Sequence, residues 1–345
     1  MNYKEKYLKY KNKYLELKQL GGMLSLQDLS AKQIAINSID ELISLLKQYP
    51  LFPSEAFNKI IQQRNLKFDN LEQVLFFYDK ELTHLTFSFE FNIDIGLNVL
   101  PPSLTHLTFI SNFDRDIGLS VLPQSLTHLT FGYNFNREIG SAVLPQSLTH
   151  LTFGASFDRD IGLNVLPQSL THLTFGYKFN RYIGVNVLPR SLTQLTFGFE
   201  FDQLIDLNVL PSSLTHLTFD FRFNREIGVN VLPQSLTHLT FGFEFSLFNR
   251  DIGVNVLPRS LTHLTFASNF NRYIGVNVLP QSLIHLTFGF EFNQLIDLNV
   301  LPKSLNELIL SESCYILNKN KLDTIFYIQN YIEGEEIELV KLVKQ

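Results

Sequence analysis

The sequence predicts a repeat solenoid in which about ten 22-residue coils stack, each contributing one strand to a parallel β-sheet. This prediction rests on a Leu-Pro dipeptide that recurs at a fixed interval, an alternating segment that follows it, and two phenylalanine positions in every coil. A coil of this size is too small to bury a core alone, so neighbouring coils must stack to form one.

Ten Leu-Pro dipeptides set the period. Eight of the nine intervals between their prolines are 22 residues long, and the other is 25 because it contains the insertion 246–248. The prolines are Pro101, Pro123, Pro145, Pro167, Pro189, Pro211, Pro233, Pro258, Pro280 and Pro302. Because proline fixes φ and lacks an N–H group, the segment around it is expected to be extended or a single 3₁₀ turn. This back segment leaves no room for a helix, which predicts a nearly straight solenoid.

The alternating segment L-T-H-L-T-F, as in residues 126–131, predicts the strand of each coil. Alternate side chains of a strand point to opposite faces. Leu129 and Phe131 are therefore expected in the core, and His128 and Thr130 outside it. Because every coil repeats the same chain direction, neighbouring strands must run parallel.

The rest of the coil carries three further signals. The two phenylalanine positions, such as Phe131 and Phe135, hold 20 of the 32 phenylalanines and predict two stacked columns in the core. An Asn or Asp follows the second phenylalanine and is expected to bond the backbone of the neighbouring coil. In eight coils glycine follows isoleucine, which predicts a backbone site with positive φ.

The sequence divides into four segments. Residues 1–22 are rich in Tyr and Lys and predict a basic helix that ends at its two glycines. Residues 23–80 predict a helical N-terminal cap, residues 81–310 the solenoid, and residues 311–345 a C-terminal cap. An alternative for residues 23–80 is an F-box-like module that recruits a ubiquitin ligase, so that the protein acts as a substrate adaptor.

Composition limits the possible functions. The formal net charge of −5 gives no global reason to bind nucleic acid or an anionic membrane. Cys314 is the single cysteine, so an intrachain disulfide is impossible and a reducing compartment is favoured. The N-terminus shows no signal-peptide pattern, and no stretch approaches the roughly 20 apolar residues that span a bilayer. We therefore expect an intracellular protein.

All nine histidines occupy one repeat position. They are His84, His106, His128, His150, His172, His216, His238, His263 and His285, and Gln194 stands there in the remaining coil. Parallel strands lie about 4.8 Å apart, so these rings are expected to form an exposed column. Such a column is a candidate for chelating a metal in adjacent pairs, or for a pH-sensitive stripe.

A simpler origin of the histidine column is duplication of one ancestral residue. Residues 179–211 and 270–302 differ at only 4 of 33 positions, so recent copying explains much of the regularity. No cysteine or carboxylate lies beside the column in the repeat to complete a zinc site, and we assign no metal ligand and no cofactor. An enzyme needs dissimilar groups that converge, whereas each face here repeats one residue type, so no catalytic residue is assigned.

The function that the repeat pattern favours is a surface that binds partners. The position two residues after the strand phenylalanine is often aromatic, and the next position varies most between coils. A constant frame with one variable rim is how repeat scaffolds recognise partners. The candidate interaction surface is the histidine column with Tyr133, Tyr177, Glu200, Arg222 and Glu244. A row of arginines is nearly neutralised by the acidic residues that follow most of them, so a nucleic-acid partner is not expected.

The repeat string F-N-x-x-I-G…L-P-x-S-L-T-H-L-T-F-G resembles the FNIP repeat, a 22-residue relative of the leucine-rich repeat found in social amoebae and in giant viruses of amoebae. The resemblance covers about residues 81–310, although the proline of the family motif is absent here. The opening Y-K-E-K-Y-L-K-Y-K-N-K-Y-L-E-L-K also resembles a segment at the start of many giant-virus proteins. The resemblance implies a leucine-rich-repeat-like fold and a mimivirus-like source. It also implies a protein-interaction scaffold, which we expect to bind host proteins in the host cytoplasm.

Overall fold

The structure of the chain is a computed structural model. It describes residues 36–49, 52–242, 246–332 and 339–344. The helix predicted for residues 1–22 and the candidate residue Glu244 lie outside these described residues.

Three helices precede the solenoid. They are α1 (Ile39–Gln48), α2 (Ser54–Gln63) and α3 (Leu71–Phe76). At the start of α1 the Ser38 hydroxyl accepts from the Glu41 N–H at 3.2 Å, and the Glu41 carboxylate accepts from the Asn37 N–H at 2.7 Å. Phe68 then covers the edge of the first strand, because its N–H donates to the carbonyl of Thr86 at 2.9 Å. The parallel ladder therefore does not begin with a bare edge.

Each coil contributes one short strand at the predicted place. The strands are β1 (His84–Phe87), β2 (His106–Phe109), β3 (His128–Thr130), β4 (His150–Thr152), β5 (His172–Thr174), β6 (Gln194–Thr196), β7 (His216–Phe219), β8 (His238–Phe241), β9 (His263–Thr265), β10 (His285–Thr287) and β11 (Glu307–Ser311). Neighbouring strands pair in parallel, and equivalent residues of successive coils lie opposite each other, as His128 does to His150. The predicted parallel solenoid is confirmed. Coils are numbered 1–10 below by their strands β1–β10.

The two phenylalanine columns fill the interior as predicted. Each strand phenylalanine stacks on the second phenylalanine of its own coil, for example Phe175 on Phe179 at 3.8 Å between ring centroids. Phe175 also stacks between Phe153 and Phe197 at 5.7 Å on each side. Both columns are buried along their whole length. This close packing of large apolar rings is repeated in every coil and continues without a break along the solenoid.

The solenoid is curved, and the prediction of a straight one is wrong. Equivalent rings of successive coils lie 4.0–4.3 Å apart in the histidine column but 6.0–6.2 Å apart in the second phenylalanine column. A coil spacing that grows with distance from the sheet bends the stack, so the strand face is concave. Two buried aromatic rings per coil widen the interior spacing, which makes a back-side helix unnecessary for curvature.

Polar ladders satisfy the backbone at the corners of the coils. In each coil after the first, the N–H of the Asn or Asp that follows the second phenylalanine donates to the side-chain oxygen of its counterpart one coil earlier. The distances are 3.0–3.1 Å, as for Asn136 with Asp114. A serine hydroxyl donates to a leucine carbonyl of the previous coil, as Ser125 does to Leu104 at 2.6 Å. No buried side-chain polar atom of the described residues lacks a partner, which is what a stack of irregular corners requires.

The predicted positive φ at the glycine after isoleucine is wrong. The left-handed residue lies two positions later, in the turn Gly118–Val121, where the Val121 N–H donates to the Gly118 carbonyl at 3.4 Å. Its third residue has φ of 58–65° in nine coils, as in a type II turn. These residues are Asn98, Ser120, Ala142, Asn164, Asn186, Asn208, Asn230, Asn255 and Asn277. Asparagine tolerates this conformation better than most residues, which explains its recurrence.

The C-terminal segment closes the other end of the sheet. Helix α4 (Glu312–Leu322) follows β11, and the strands β12 (Phe326–Ile332) and β13 (Leu339–Lys344) form an antiparallel pair. Strand β13 pairs with β11, so the strand order ends β10-β11-β13-β12. The change to antiparallel pairing ends the parallel ladder. None of the helices in the described part of the chain is long and apolar enough to span a membrane.

Candidate interaction surface

The concave face carries the histidine column that the sequence predicts. The rings stack nearly parallel, with centroids 4.0–4.3 Å apart and planes 10–17° apart. Gln194 divides the column into a run of five rings and a run of four, because it pairs in register with His172 and His216. All nine predicted histidines are therefore brought together on one face.

Hydrogen bonds fix which ring nitrogen carries the proton. The Thr127 hydroxyl lies 3.1 Å from the carbonyl oxygen of Thr105 and 2.9 Å from Nδ1 of His128. Because the carbonyl only accepts, the single hydroxyl proton goes to it, and the network assigns the ring proton to Nδ1. The same arrangement recurs at His106, His150, His172, His216, His238 and His263. Nε2 of these seven rings is left as a hydrogen-bond acceptor.

This geometry does not favour the metal interpretation of the column. Stacked rings have parallel lone pairs, so the Nε2 atoms of neighbours such as His128 and His150 point in the same direction and do not converge on one ion. Within the described residues, no group of three His, Cys, Asp or Glu side chains is arranged to hold a metal. The column is better described as a row of neutral acceptors.

Seven of the nine histidines have lowered pKa values. Burial lowers the pKa of His84, His106, His128, His150, His172, His238 and His263 below the ordinary value of 6.5, and repulsion from other column histidines lowers it further. The pKa of His238 falls to about 4. Glu307 opposes the shift at the C-terminal end by raising the pKa of His263.

These shifts predict that acid destabilises the fold. Because the folded pKa values are depressed, the unfolded chain binds more protons as the pH falls through 6.5. The free energy of unfolding should be highest above pH 6.5 and should decline as the pH falls toward 4, the pKa of His238. We expect a loss of about 2 kcal/mol in total, since solvent screens each exposed ring. Urea midpoints at pH 7.5 and at about pH 5 measure it.

A triple variant provides the control for the acid effect. Replacing His128, His150 and His172 with Gln keeps the polar surface, since Gln194 already occupies this position in coil 6. The variant should lose less stability than the wild type between the two pH values. An equal loss in both proteins would show that the column is not an electrostatic unit.

An aromatic rim lies beside the concave face. Tyr177, Phe199 and Phe221 of coils 5–7 stack with centroids 4.4 and 4.2 Å apart. Tyr177 is 47% exposed, and Phe199 and Phe221 are partly exposed. Tyr133 is 60% exposed, but its counterpart in the next coil is Ala155, so it lies apart from the stack. We call Tyr177, Phe199 and Phe221 the aromatic rim.

Charged residues accompany the aromatic rim. Lys178, Glu200 and Arg222 follow its three rings, and the Arg222 guanidinium lies 3.1 Å from the Glu200 carboxylate. In coils 2–4 the same position holds Asn112, Asn134 and Ser156. Coils 5–7 therefore differ from those coils in both shape and charge.

The arginine row along the side of the coils is tied into the Asn/Asp ladder. Arg137, Arg181 and Arg225 form ion pairs of 2.8–3.0 Å with the aspartate of the previous coil. Arg159, which follows a coil with asparagine, instead donates to the Asn136 carbonyl at 3.0 Å. Most of this positive charge is therefore paired with carboxylates.

Sequence reasoning missed a row of exposed aliphatic residues on the back of the solenoid. They occupy the second position of the back turn and are 44–62% exposed. We call them the back ridge: Leu97, Leu119, Leu163, Val185, Leu207, Val229, Val254 and Val276. The signal was present in the recurring string I-G-[LV]-N, but the turn had to be seen before its second residue could be placed at the tip.

Comparison with known sequences identifies the repeat. The profile of the FNIP repeat matches residues 57–112, 113–156, 157–200, 201–244, 248–291 and 270–313. These matches cover most of the chain and include every coil. The chain belongs to the FNIP repeat family. Most of the matched units are two coils long, so the FNIP profile spans a pair of the coils described above.

A solved structure resembles the FNIP chain closely. CroV588, a protein of the giant virus CroV described as a novel circular leucine-rich-repeat protein, is 58% identical, with a TM-score of 0.65. The similarity covers 67% of this chain and 34% of CroV588, so the FNIP chain spans about a third of the length of that relative. It supports the leucine-rich-repeat-like fold. No curated protein matches the FNIP chain.

Proposed function

We propose that this FNIP-repeat protein is a non-enzymatic scaffold that binds a protein partner through the aromatic rim of coils 5–7. The observation that carries the proposal is the continuous stack of Tyr177, Phe199 and Phe221, which remains partly or largely exposed although its rings are large and apolar. Exposed aromatic clusters beside charged residues are typical of binding hot spots. The constant coil frame holds these rings in fixed positions, so little ordering cost opposes binding.

The chemistry of the concave face supports a binding role over a catalytic one. Histidine and threonine repeat in rows, and in seven of the eight described Thr–His pairs the threonine hydroxyl donates to a backbone carbonyl, as at Thr127 and His128. A nucleophile and base would need an orienting acid and a closed pocket. The row of Nε2 acceptors instead suits the polar border of an interface.

We further propose that the partner is a host protein and that the chain acts inside the host cell. The similarity to CroV588 supports a viral source, and a circular relative supports recognition through a curved surface. The matched region is only about a third of CroV588. Among the described residues the strand order runs from β1 to β12 without returning to β1, so the sheet forms an open arc. An open arc admits a partner larger than the arc itself.

The test is a pull-down from amoebal lysate with the full chain, followed by affinity measurement with each purified captured protein. The rim variant replaces Phe199 and Phe221 with Ser. The matched control replaces Phe89 and Tyr133 with Ser, because these two residues are exposed but lie outside the stack. We expect the rim variant to bind at least about tenfold more weakly and the control to bind as the wild type does.

Equal binding by the rim variant and the wild type would refute the role of the rim. The F-box-like alternative predicts a different result. Ubiquitin ligase subunits would then be captured equally by all three proteins, since residues 23–80 are unchanged in each. Melting temperatures of the variants confirm that any loss of binding does not come from unfolding.

A further inference from the structure

The back ridge has one gap, in coil 3. There the turn reads Gly140, Ser141, Ala142 in place of glycine, leucine or valine, and asparagine. The short Ser141 leaves a notch next to the exposed Leu163, within an open cavity of about 480 Å³. The buried side chains of Ile139 and Val165 line it. An apolar depression at Ser141 therefore lies beside an exposed apolar side chain, Leu163.

The same turn carries backbone strain. Ala142 has φ of 62°, a left-handed conformation that is unfavourable for residues other than glycine and asparagine. Of the coils with a left-handed turn residue, only coil 3 replaces both the ridge residue and the asparagine. Ser120 in coil 2 has the same conformation, so it is the combination of this strain with the missing ridge residue that singles out coil 3 as a candidate for function.

The residues around the notch carry charges of both signs. Glu138, Arg159 and Asp160 line it and are exposed. Within the described residues Arg159 forms no ion pair, whereas its counterparts Arg137 and Arg181 do. Glu138 and Asp160 likewise have no cationic partner among these residues. The notch thus presents a cation in coil 4 next to a carboxylate in coil 3.

We propose that the notch binds a second copy of this chain, with two back ridges packed antiparallel about a two-fold axis between coils 3 and 4. In this arrangement Leu163 of each copy enters the Ser141 notch of the other, and each Arg159 faces the other copy's Glu138. An isologous interface requires this kind of self-complementarity, in which knob and hole exchange between copies. The ridge lies on the convex side, so contact is confined to a few central coils and the dimer is weak.

Sedimentation equilibrium of the full chain, from about 5 to about 500 μM, tests the proposal. We expect a monomer–dimer equilibrium in the wild type. Ser141→Leu fills the notch and should weaken association at least tenfold, and Leu163→Ser should do the same. Ala142→Asn relieves the strain but leaves the notch open, so it should associate as the wild type does. Val254→Ser, on a distant part of the ridge, is the second control.

A pair of charge reversals distinguishes this geometry from nonspecific hydrophobic association of the back ridge. Arg159→Glu should weaken association, and adding Glu138→Arg should restore it. A wild type that stays monomeric throughout overturns the proposal. So does unchanged or stronger association in Ser141→Leu, since a simple hydrophobic contact would gain from the added leucine.

Discussion

Replacing Phe175 with alanine is expected to lower the free energy of unfolding by about 3–5 kcal/mol. The ring is 2% exposed and contacts Phe179 of its own coil and the strand phenylalanines of both neighbouring coils. Its removal takes buried apolar surface away and leaves a cavity that the flanking coils cannot close, because their spacing is fixed by the hydrogen-bonded ladder. Urea denaturation of the full chain measures the loss.

His172→Gln is the matched control in the same strand. Its side chain lies on the opposite face of the sheet, and coil 6 already accommodates glutamine at this position. We expect a change below about 1 kcal/mol. Similar losses for the two variants would mean that the phenylalanine columns do not dominate the stability of the solenoid.

The strands could be predicted because their signal is local and repeated. In residues 126–131 alternation alone separates core from surface, and the constant interval places His128 opposite His150 without further information. The ladder of Asn and Asp side chains could be predicted for the same reason, since one residue type at one offset meets itself in the next coil. The period of the repeat is therefore sufficient to predict the strands, their parallel register and the Asn/Asp ladder.

The features that could not be predicted depend on geometry between coils. Curvature follows from the difference in spacing between the histidine and phenylalanine columns, and no single coil encodes that difference. The left-handed residue of the back turn was assigned to glycine because glycine is permissive, although the turn requires positive φ two residues later, at positions such as Asn164. Two permissive residues in one short turn cannot be ranked from sequence alone.

The candidate site also has features that the sequence predicts and features that depend on contacts between coils. Its histidines could be placed on one face, but the proton position on His128 depends on the contact between Thr127 and the previous coil. The back ridge was missed because leucine in a repeat suggests burial, and only the turn shows that Leu163 points away from the core. The roles of Tyr133, Tyr177, Glu200 and Arg222 in binding remain predictions.

A second large effect is expected from Gly154→Ala, at the corner that follows strand β4. A Cβ atom at this position would lie well inside van der Waals distance of the carbonyl group of Gly132 and 2.9 Å from the carbonyl oxygen of Phe131. Both neighbours are backbone, so no side chain can rotate away, and coils 3 and 4 would have to separate. We expect a loss of about 3 kcal/mol or more in the free energy of unfolding.

Gly162→Ala, in the back turn of the same coil, is the control for Gly154→Ala. Its nearest neighbour would be a methyl group of Val165 at 3.8 Å, and its φ is not positive, so the substitution should change stability by less than about 0.5 kcal/mol. Ile110 and Asp220 occupy the position of Gly154 in coils 2 and 7, where the strands run one residue further. Glycine is therefore required by the tight corner of coils 3–6 and not by the repeat itself. Equal stability of the two alanine variants would show that the coils can separate at this corner without loss.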